Sequence, residues 1–281
     1  MNLKRFFERI GYTGKARPDM ETLSTLQERF LLSVPFENLD IHYGANTITL
    51  DLDAAYEKIV ERNRGGFCYE NSILMAWALR EIGFAVDYMS AQMLPSLMHD
   101  YLDDLHMFLR VPLGGRNFAV DVGNGQSFRH PLCERGALED RIPEGERFRI
   151  GPYKHEQNPQ DDWLALFKVC GESSNDCEAR YVFGTQPRPL LFFKEPCRFQ
   201  QTSPKSMFVK KPLASLALRD GRISATPRAL RRNKNGVITE TLFKDEAEFL
   251  ACLKQEFCLV PEGPRSSPFG AEGWGDPDNH W

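Results

Sequence analysis

The sequence lacks the patterns that mark three common protein classes. It has seven cysteines but no Cys-x-x-Cys pair, and none of its six histidines stands at zinc-finger spacing, which argues against structural zinc and a disulfide framework. It has no run of eighteen apolar residues, so no membrane span is predicted. The first residues lack the apolar core and cleavage site of a signal peptide. We therefore expect free thiols, no metal and a cytoplasmic protein.

Charge is low overall and uneven along the chain. The formal net charge of −4 argues against a general nucleic-acid binder. Between residues 198 and 234, however, there are ten lysines and arginines and a single acid, Asp220. This basic stretch favours a small polyanion as a partner, or it marks exposed strands whose charges discourage pairing between sheet edges.

Apolar periodicity changes near residue 86. Residues 1–86 show helical spacing in four segments, the third of which begins after Asp51, a good N-cap residue. Residues 87–201 contain short alternating or apolar runs separated by glycine and proline, which is typical of an antiparallel sheet or barrel. One of these predicted strands covers residues 189–193.

The remaining residues predict a mixed third part. Residues 202–260 combine predicted strands, one of them at 207–209, with a closing helix at about 244–257. Residues 261–281 are rich in proline, glycine and serine, so we expect a C-terminal tail there.

One cysteine stands out as a candidate nucleophile. Cys68 follows the pair Gly65-Gly66 and precedes a strongly helical run at residues 72–82. A helix start offers unpaired backbone N–H groups and the positive end of the helix dipole, so we expect it to favour the thiolate. The helix is apolar on nearly every side, which predicts a buried, rigid support for the thiol.

A nucleophilic cysteine needs a base, and His106 with Asp121 supplies a candidate pair. If residues 112–115 form a four-residue hairpin loop, His106 lies directly opposite Asp121 with Cβ atoms ~5 Å apart. A two-residue loop shifts the pairing by two but keeps both residues on one face, whereas an odd loop separates them. The alternative interpretation is a solvent-facing histidine and aspartate on an exposed sheet face.

Five segments carry a family resemblance: VPFENLD (34–40), RGGFCYEN (64–71), LHM (105–107), VDVG (120–123) and TSPKSMF (202–208). Together they resemble the arylamine N-acetyltransferases, over roughly residues 3–258. The resemblance implies an α+β multidomain fold with an N-terminal helical bundle, a central antiparallel β-barrel and a C-terminal α/β lid around a cysteine-protease- or transglutaminase-like core. It also implies a Cys68–His106–Asp121 triad that carries an acetyl group from acetyl-CoA to an aromatic amine or hydrazine.

Two further sets of residues are candidates for ligand contacts. For coenzyme A, the candidates lie in the glycine-rich turn after Asp121 and at the start of the third part: Gly125, Thr202, Ser203, Lys205, Lys210 and the adjacent Lys211. For the acceptor, the candidates are aromatic residues and one turn residue: Phe36, Phe67, Tyr69, Phe108, Asn124 and Phe128. Ordinary core packing is the alternative for each aromatic side chain.

The turn after Asp121 departs from the family pattern. Asn124 stands where the family commonly has an aromatic residue, which leaves the acceptor preference open. The order Cys, His, Asp also fits transglutaminase-like and papain-like enzymes, and an amide synthase that closes macrolactams would use the same triad. A non-catalytic binding protein on the same scaffold is the remaining alternative. The sequence does not specify the oligomeric state.

Overall fold

The computed structural model describes residues 1–44, 47–94, 104–136, 139–155, 160–170 and 177–265. The predicted tail therefore lies outside the described residues from residue 266 onward. Within the described ranges, no helix is both long enough and apolar enough to cross a membrane.

The N-terminal part is helical, as the periodicity predicts. Asp51 accepts a hydrogen bond from the backbone N–H of Ala54, which confirms its role as an N-cap. Gly83 ends the last helix in the left-handed conformation, with φ 105°. The elements are α1 (Leu3–Ile10), α2 (Met20–Ser33), a short strand β1 (Phe36–Glu37), α3 (Leu39–Tyr43), α4 (Leu52–Tyr56) with a π-helical turn (Glu57–Glu61), and α5 (Cys68–Ile82).

The central part is an eight-stranded antiparallel sheet that curls into a nearly closed barrel. Its strands are β2 (Asp87–Met93), β3 (His106–Leu113), β4 (Arg116–Val120), β5 (Leu132–Cys133), β6 (Asp140–Arg141), β7 (Arg147–Tyr153), β8 (Trp163–Val169) and β9 (Cys177–Gly184). Strand order is β5-β4-β3-β2-β9-β8-β7-β6, which puts β3 beside β2 and β4. Helix α5 packs on β3, so the helix that begins at Cys68 and the strand that begins at His106 are neighbours.

The C-terminal part is a second antiparallel sheet with one long helix. Its elements are a 3-10 turn (Leu190–Phe193), α6 (Lys194–Thr202), α7 (Met207–Lys210), β10 (Ala214–Leu218), β11 (Gly221–Ala225), β12 (Ala229–Lys234), β13 (Val237–Leu242) and α8 (Glu246–Phe257). Strand order is β1-β10-β11-β12-β13, so β1 from the helical part joins this sheet. Helix α8 packs on one face of the sheet through an apolar cluster that includes Phe249 and Leu253.

Two predicted strands are wrong. Residues 189–193 form the 3-10 turn, and residues 207–209 belong to α7. Short apolar runs such as these do not distinguish a strand from a helical turn by periodicity alone. At α7 the decisive residue is Ser206, whose hydroxyl accepts a hydrogen bond from the Phe208 N–H and caps the helix.

The hairpin between β3 and β4 has the shorter of the two even-length loops. Gly114 and Gly115 form a two-residue turn with φ of 58° and 75°, a pair of positive values that suits the twist of a tight hairpin and favours glycine. Leu113 therefore pairs with Arg116, which is the two-residue alternative and not the four-residue one. Extending this register past the end of β4 places Asp121 two residues from the level of His106, on the same face.

Candidate active site

Cys68 is the first residue of α5. It follows a pair of glycines, the first of which packs closely against the segment 34–40. A Cβ on Gly65 would lie 2.1 Å from the carbonyl oxygen of Pro35, so only glycine allows this approach. At the helix start, the Glu70 carboxylate accepts a hydrogen bond from the Phe67 N–H at 3.2 Å. These contacts fix the backbone that carries the thiol.

His106 and Asp121 are in direct contact. The Nε2 atom of His106 lies 2.9 Å from Oδ2 of Asp121, and the backbone N–H of Gly123 donates to Oδ1 at 3.0 Å. Asp121 is fully buried, so these donors satisfy a carboxylate that would otherwise be costly to bury. Because Nε2 is engaged, the ring has only Nδ1 left for a second partner.

Tyr181 is a further member of the site that sequence reasoning missed. Its hydroxyl donates to Oδ2 of Asp121 at 3.3 Å, and its ring lies 5.3 Å from the His106 ring. It belongs to β9, sixty residues from Asp121 in the sequence. Only the barrel topology brings the two together, so no local sequence signal points to Tyr181.

Two side chains of α5 hold the start of β3 on either side of His106. The Tyr69 hydroxyl donates to the Leu105 carbonyl at 2.7 Å, and the Ser72 hydroxyl donates to the Met107 carbonyl at 3.1 Å. Both side chains are buried, where a hydrogen bond lost from either would leave an unpaired polar group. These two hydrogen bonds therefore fix helix α5, which carries Cys68, against strand β3, which carries His106.

The loop after Asp121 packs closely against Cys68. A Cβ on Gly123 would lie 2.7 Å from Cα and 2.9 Å from Cβ of Cys68, closer than real Cβ contacts. Asn71 reinforces this contact, because its side-chain amide donates to the carbonyls of Gly66 at 3.0 Å and Val122 at 3.2 Å. The glycine of the VDVG motif thus allows the carboxylate strand to reach the thiol.

Burial controls the protonation of Cys68. The thiol is 3% exposed, and burial raises its pKa well above the ordinary value, with further increases from Cys197 and Asp121. Hydrogen bonds from the backbone at Met107 and Tyr69 lower the pKa, but by less than burial raises it. The helix start acts in the expected direction, because the Tyr69 backbone lowers the Cys68 pKa, but desolvation has the larger effect.

A buried network of charges surrounds the start of α5, where Cys68 lies. Lys58 lies 2.8 Å from Asp40 and 2.9 Å from Glu70, and Arg64 lies 2.8 Å from both Glu37 and Asp40. The acids belong to the segments 34–40 and 64–71, and the buried cations join them. Burial is the largest influence on Glu70 and raises its pKa, while the adjacent Lys58 opposes this rise. The charged residues of both motifs therefore build the support of the thiol.

Three of the predicted acceptor-pocket residues lie in the apolar cluster of Cys68. Phe67 and Tyr69 are fully buried and 5.1 Å apart between ring centroids, and Phe36 is half-buried. Phe208 of α7, which was not predicted, lies 5.9 Å from Phe36 and 6.0 Å from Phe67. An aromatic surface from three parts of the chain therefore adjoins the thiol.

The other predicted pocket residues lie elsewhere. Phe108 and Phe128 are fully buried in the barrel core, although Phe108 stacks against His106 at 6.3 Å. Asn124 is partly exposed, and its side chain accepts a hydrogen bond from the Gln126 N–H at 3.1 Å. Asn124 therefore shapes its own turn.

The predicted coenzyme residues separate into two groups. Thr202, Lys205 and Lys210 are exposed around α7, and Ser203 lies between them. Lys211, in contrast, is 5% exposed, and burial lowers the pKa of its ammonium group. The surface around α7 is thus basic through Lys205 and Lys210.

Gly125 contacts the C-terminal sheet. Its carbonyl accepts a hydrogen bond from the Ser215 hydroxyl at 3.0 Å and another from Arg222. A Cβ on Gly125 would lie 3.0 Å from the Phe36 ring, which lies 5.9 Å from the Phe208 ring of α7. Gly125 therefore adjoins the aromatic cluster of Cys68.

The fold and the residues at its centre define a class: helices, a barrel and a second sheet in a cysteine-protease-like arrangement. A family model described as N-acetyltransferase matches residues 19–263. The arylamine N-acetyltransferase pineal gland isozyme NAT-3 of Gallus gallus is 35% identical over 79% of each chain. The arylamine N-acetyltransferase of Mycolicibacterium smegmatis is 30% identical over 92% of this chain and 91% of that protein.

Solved structures agree with these sequence matches. The arylamine N-acetyltransferase of Salmonella typhimurium superposes with a TM-score of 0.81 at 25% identity, over 92% of this chain and 90% of that one. The Mycobacterium marinum enzyme in complex with CoA gives a TM-score of 0.80 at 26% identity, over 92% of each chain. The chain belongs to the arylamine N-acetyltransferase family, an acyltransferase family.

Proposed function

We propose that the protein transfers an acetyl group from acetyl-CoA to the nitrogen of an arylamine or arylhydrazine, through an acetyl group carried by Cys68. The observation that carries the proposal is the His106–Asp121 contact of 2.9 Å beside a helix-start cysteine. The names of the relatives support arylamines as acceptors, and the CoA complex of the Mycobacterium marinum enzyme supports the donor.

In the first half-reaction, His106 activates the thiol. Asp121 accepts the Nε2–H hydrogen bond, so Nδ1 is the atom that takes the Cys68 proton. Because burial disfavours an isolated thiolate, the charge is stable only as a pair with the imidazolium. The sulfur then attacks the thioester carbonyl, and backbone N–H groups at the start of α5 stabilise the oxyanion. The carbon–sulfur bond to coenzyme A breaks, and the leaving thiolate takes the proton from His106.

In the second half-reaction, the amine replaces coenzyme A. Its nitrogen attacks the acetyl carbon, His106 takes a proton from that nitrogen, and the bond to Cys68 breaks to give the amide and the free thiol. Exchange of one thioester for another is nearly balanced in energy, which suits a cysteine better than a serine. The two substrates thus react in turn, in a ping-pong sequence.

We propose that the aromatic surface beside Cys68 holds the acceptor ring. Phe36 and Phe208 are only partly buried and pack against the cluster that contains Cys68, so their rings are available for aromatic contacts, and the fully buried Phe67 packs against Phe208. The exposed Lys205 and Lys210 lie next to Phe208 in sequence and suit the phosphates of coenzyme A. We also propose domain bounds of 1–86, 87–201 and 202–260, with 261–281 as a tail.

The test is acetyl transfer by purified variants with acetyl-CoA and a panel of arylamines and hydrazines. Cys68→Ala should abolish turnover and leave the thermal unfolding transition in place. Cys133→Ala is the matched control, because Cys133 is also buried but lies in the core away from the site, and it should retain activity. Turnover by Cys68→Ala at the rate of the control would refute the proposal.

A further inference from the structure

One face of the C-terminal sheet is polar and faces the barrel. Arg222 and Ser224 alternate along β11, and the residues directly opposite them on β12 are Asn233 and Arg231. Directly opposed residues share a face, so these four side chains form one patch. Ile223, on the opposite face of β11, packs in the cluster with α8.

A small cavity separates this polar patch from the barrel. It has a volume of about 100 Å³, and its barrel side is lined by Gln126, Glu144 and Glu146. A water molecule occupies about 30 Å³ in the liquid, so the cavity holds a few waters or one small tetrahedral anion. Its size therefore suits an inorganic oxyanion or a single phosphate group.

The buried charges on the floor of the cavity do not balance. Arg129 donates to both carboxylate oxygens of Glu144, at 2.7 and 2.8 Å, and Arg222 donates to the same carboxylate at 3.1 Å. Two guanidinium groups thus share one carboxylate. Arg222 is 7% exposed, its Nη2 atom has no hydrogen-bond partner among the described residues, and burial lowers its pKa. A buried cationic donor without a partner is costly, and an anion would satisfy it.

Arg231 adds a second uncompensated charge on the wall of the cavity. The two nearest candidate acids are engaged elsewhere: Glu146 lies 2.6 Å from Lys168, and Glu240, its cross-strand neighbour, lies 3.8 Å from Arg228. Within the ranges that the structure describes, Arg231 forms no ion pair or hydrogen bond. Glu146 also lines the cavity, and its charge raises the pKa of Arg222. The four cations Arg129, Arg222, Arg231 and Lys168 outnumber the two carboxylates of Glu144 and Glu146 by two charges, which matches a dianion.

We propose that this cavity is a binding site for a phosphate-type oxyanion, held between the guanidinium groups of Arg222 and Arg231. The Asn233 side-chain amide lies on the same face and supplies a neutral donor, whereas the Ser224 hydroxyl donates to Ser215. Two carboxylates adjoin the site, but both are paired: Glu144 with Arg129 and Arg222, and Glu146 with Lys168.

The site adjoins the turn that follows Asp121. Arg222 also donates to the Gly125 carbonyl, and Gln126 lines the cavity. An anion there would fix Arg222 and, through it, the turn. The anion would be either free phosphate or the phosphate of a nucleotide such as coenzyme A.

The experiment is a titration with inorganic phosphate, followed by thermal unfolding and by 31P NMR, with sodium chloride at matched ionic strength as the reference. We expect phosphate to raise Tm beyond the chloride reference. Arg231→Gln should weaken binding by about tenfold, the effect of one lost charge-assisted contact. Lys234→Gln is the control. This substitution also removes one positive charge from β12, but Lys234 lies on the opposite face of the strand and is exposed. The control should bind as wild type.

The proposed site would be refuted if phosphate raised Tm no more than chloride does, or if Arg231→Gln bound phosphate as tightly as the wild type. The same titration is repeated with the Cys68→Ala protein, which cannot carry an acetyl group on residue 68. Failure of this protein to bind phosphate would refute the anion site and leave the proposed acetyl transfer unaffected. Competition identifies the source of the anion. Displacement of phosphate by coenzyme A but not by 3′-dephospho-coenzyme A supports the coenzyme, and retention of phosphate with both supports a free oxyanion.

Discussion

Replacing Gly123 with alanine tests the contact that brings the carboxylate strand to the nucleophile. The new Cβ would lie 2.7 Å from Cα of Cys68 and 2.9 Å from its Cβ, so the loop or the helix start must move by several tenths of an ångström. Overpacking of this kind costs about 1–3 kcal/mol of stability. Because Asp121 accepts the Gly123 N–H, the shift also moves the carboxylate that orients His106.

The activity loss should exceed what the stability loss explains. Misplacing reacting groups by about 1 Å costs on the order of 100-fold in rate, so we expect acetylation of Cys68 to slow by about 10- to 100-fold in a protein that remains folded. The assay is single-turnover acetylation with acetyl-CoA, measured alongside thermal unfolding.

Gly184→Ala is the matched control for this substitution. A Cβ at Gly184 meets no atom within 4 Å, so this variant should keep wild-type rate and stability. Wild-type acetylation by Gly123→Ala would refute the claim that this contact sets the geometry of the site.

Three further predictions concern the surroundings of the site. Lys58→Met should lower the free energy of unfolding in urea by about 3–5 kcal/mol, because it leaves the buried carboxylates of Asp40 and Glu70 without their cation. The exposed Lys4→Met should change stability by less than about 1 kcal/mol. Tyr181→Phe removes a donor from Asp121 and should lower kcat several-fold while Tm falls by only a few degrees; unchanged kcat would contradict its role. Burial raises the pKa of Cys68 above its value in the unfolded chain, so the native state keeps a proton that the unfolded state loses. That stability is complete below about pH 9 and is lost as pH rises further. Cys68→Ala should therefore flatten the decline of Tm in alkali, and an identical decline in both proteins would contradict the burial argument.

Local signals predicted the helix that follows Cys68 and made this residue the candidate nucleophile. The pair Gly65-Gly66, the all-round apolar run and Gly83 lie within twenty residues of one another, so the pattern is readable without tertiary information. The resemblance to arylamine N-acetyltransferases and the fold class it implied are confirmed by the family model, the relatives and the solved structures.

Contacts between residues far apart in the sequence could not be predicted from it. The Tyr181–Asp121 hydrogen bond joins residues sixty positions apart, and the high pKa of Cys68 arises from burial by several elements at once. The register of the β3–β4 hairpin depended on positive φ at Gly114 and Gly115, which the sequence allowed but did not require.

The central claim is that Cys68 carries the acetyl group, and trapping that intermediate tests it most directly. The wild-type protein is incubated with acetyl-CoA without an acceptor, quenched in acid, digested and analysed by peptide mass spectrometry. The account predicts one acetyl group on the peptide that contains Cys68, and its loss when an arylamine is added before the quench. An acetyl-CoA reaction that leaves Cys68 unmodified, or one that modifies the exposed Cys170 and Cys258 equally, would contradict the account.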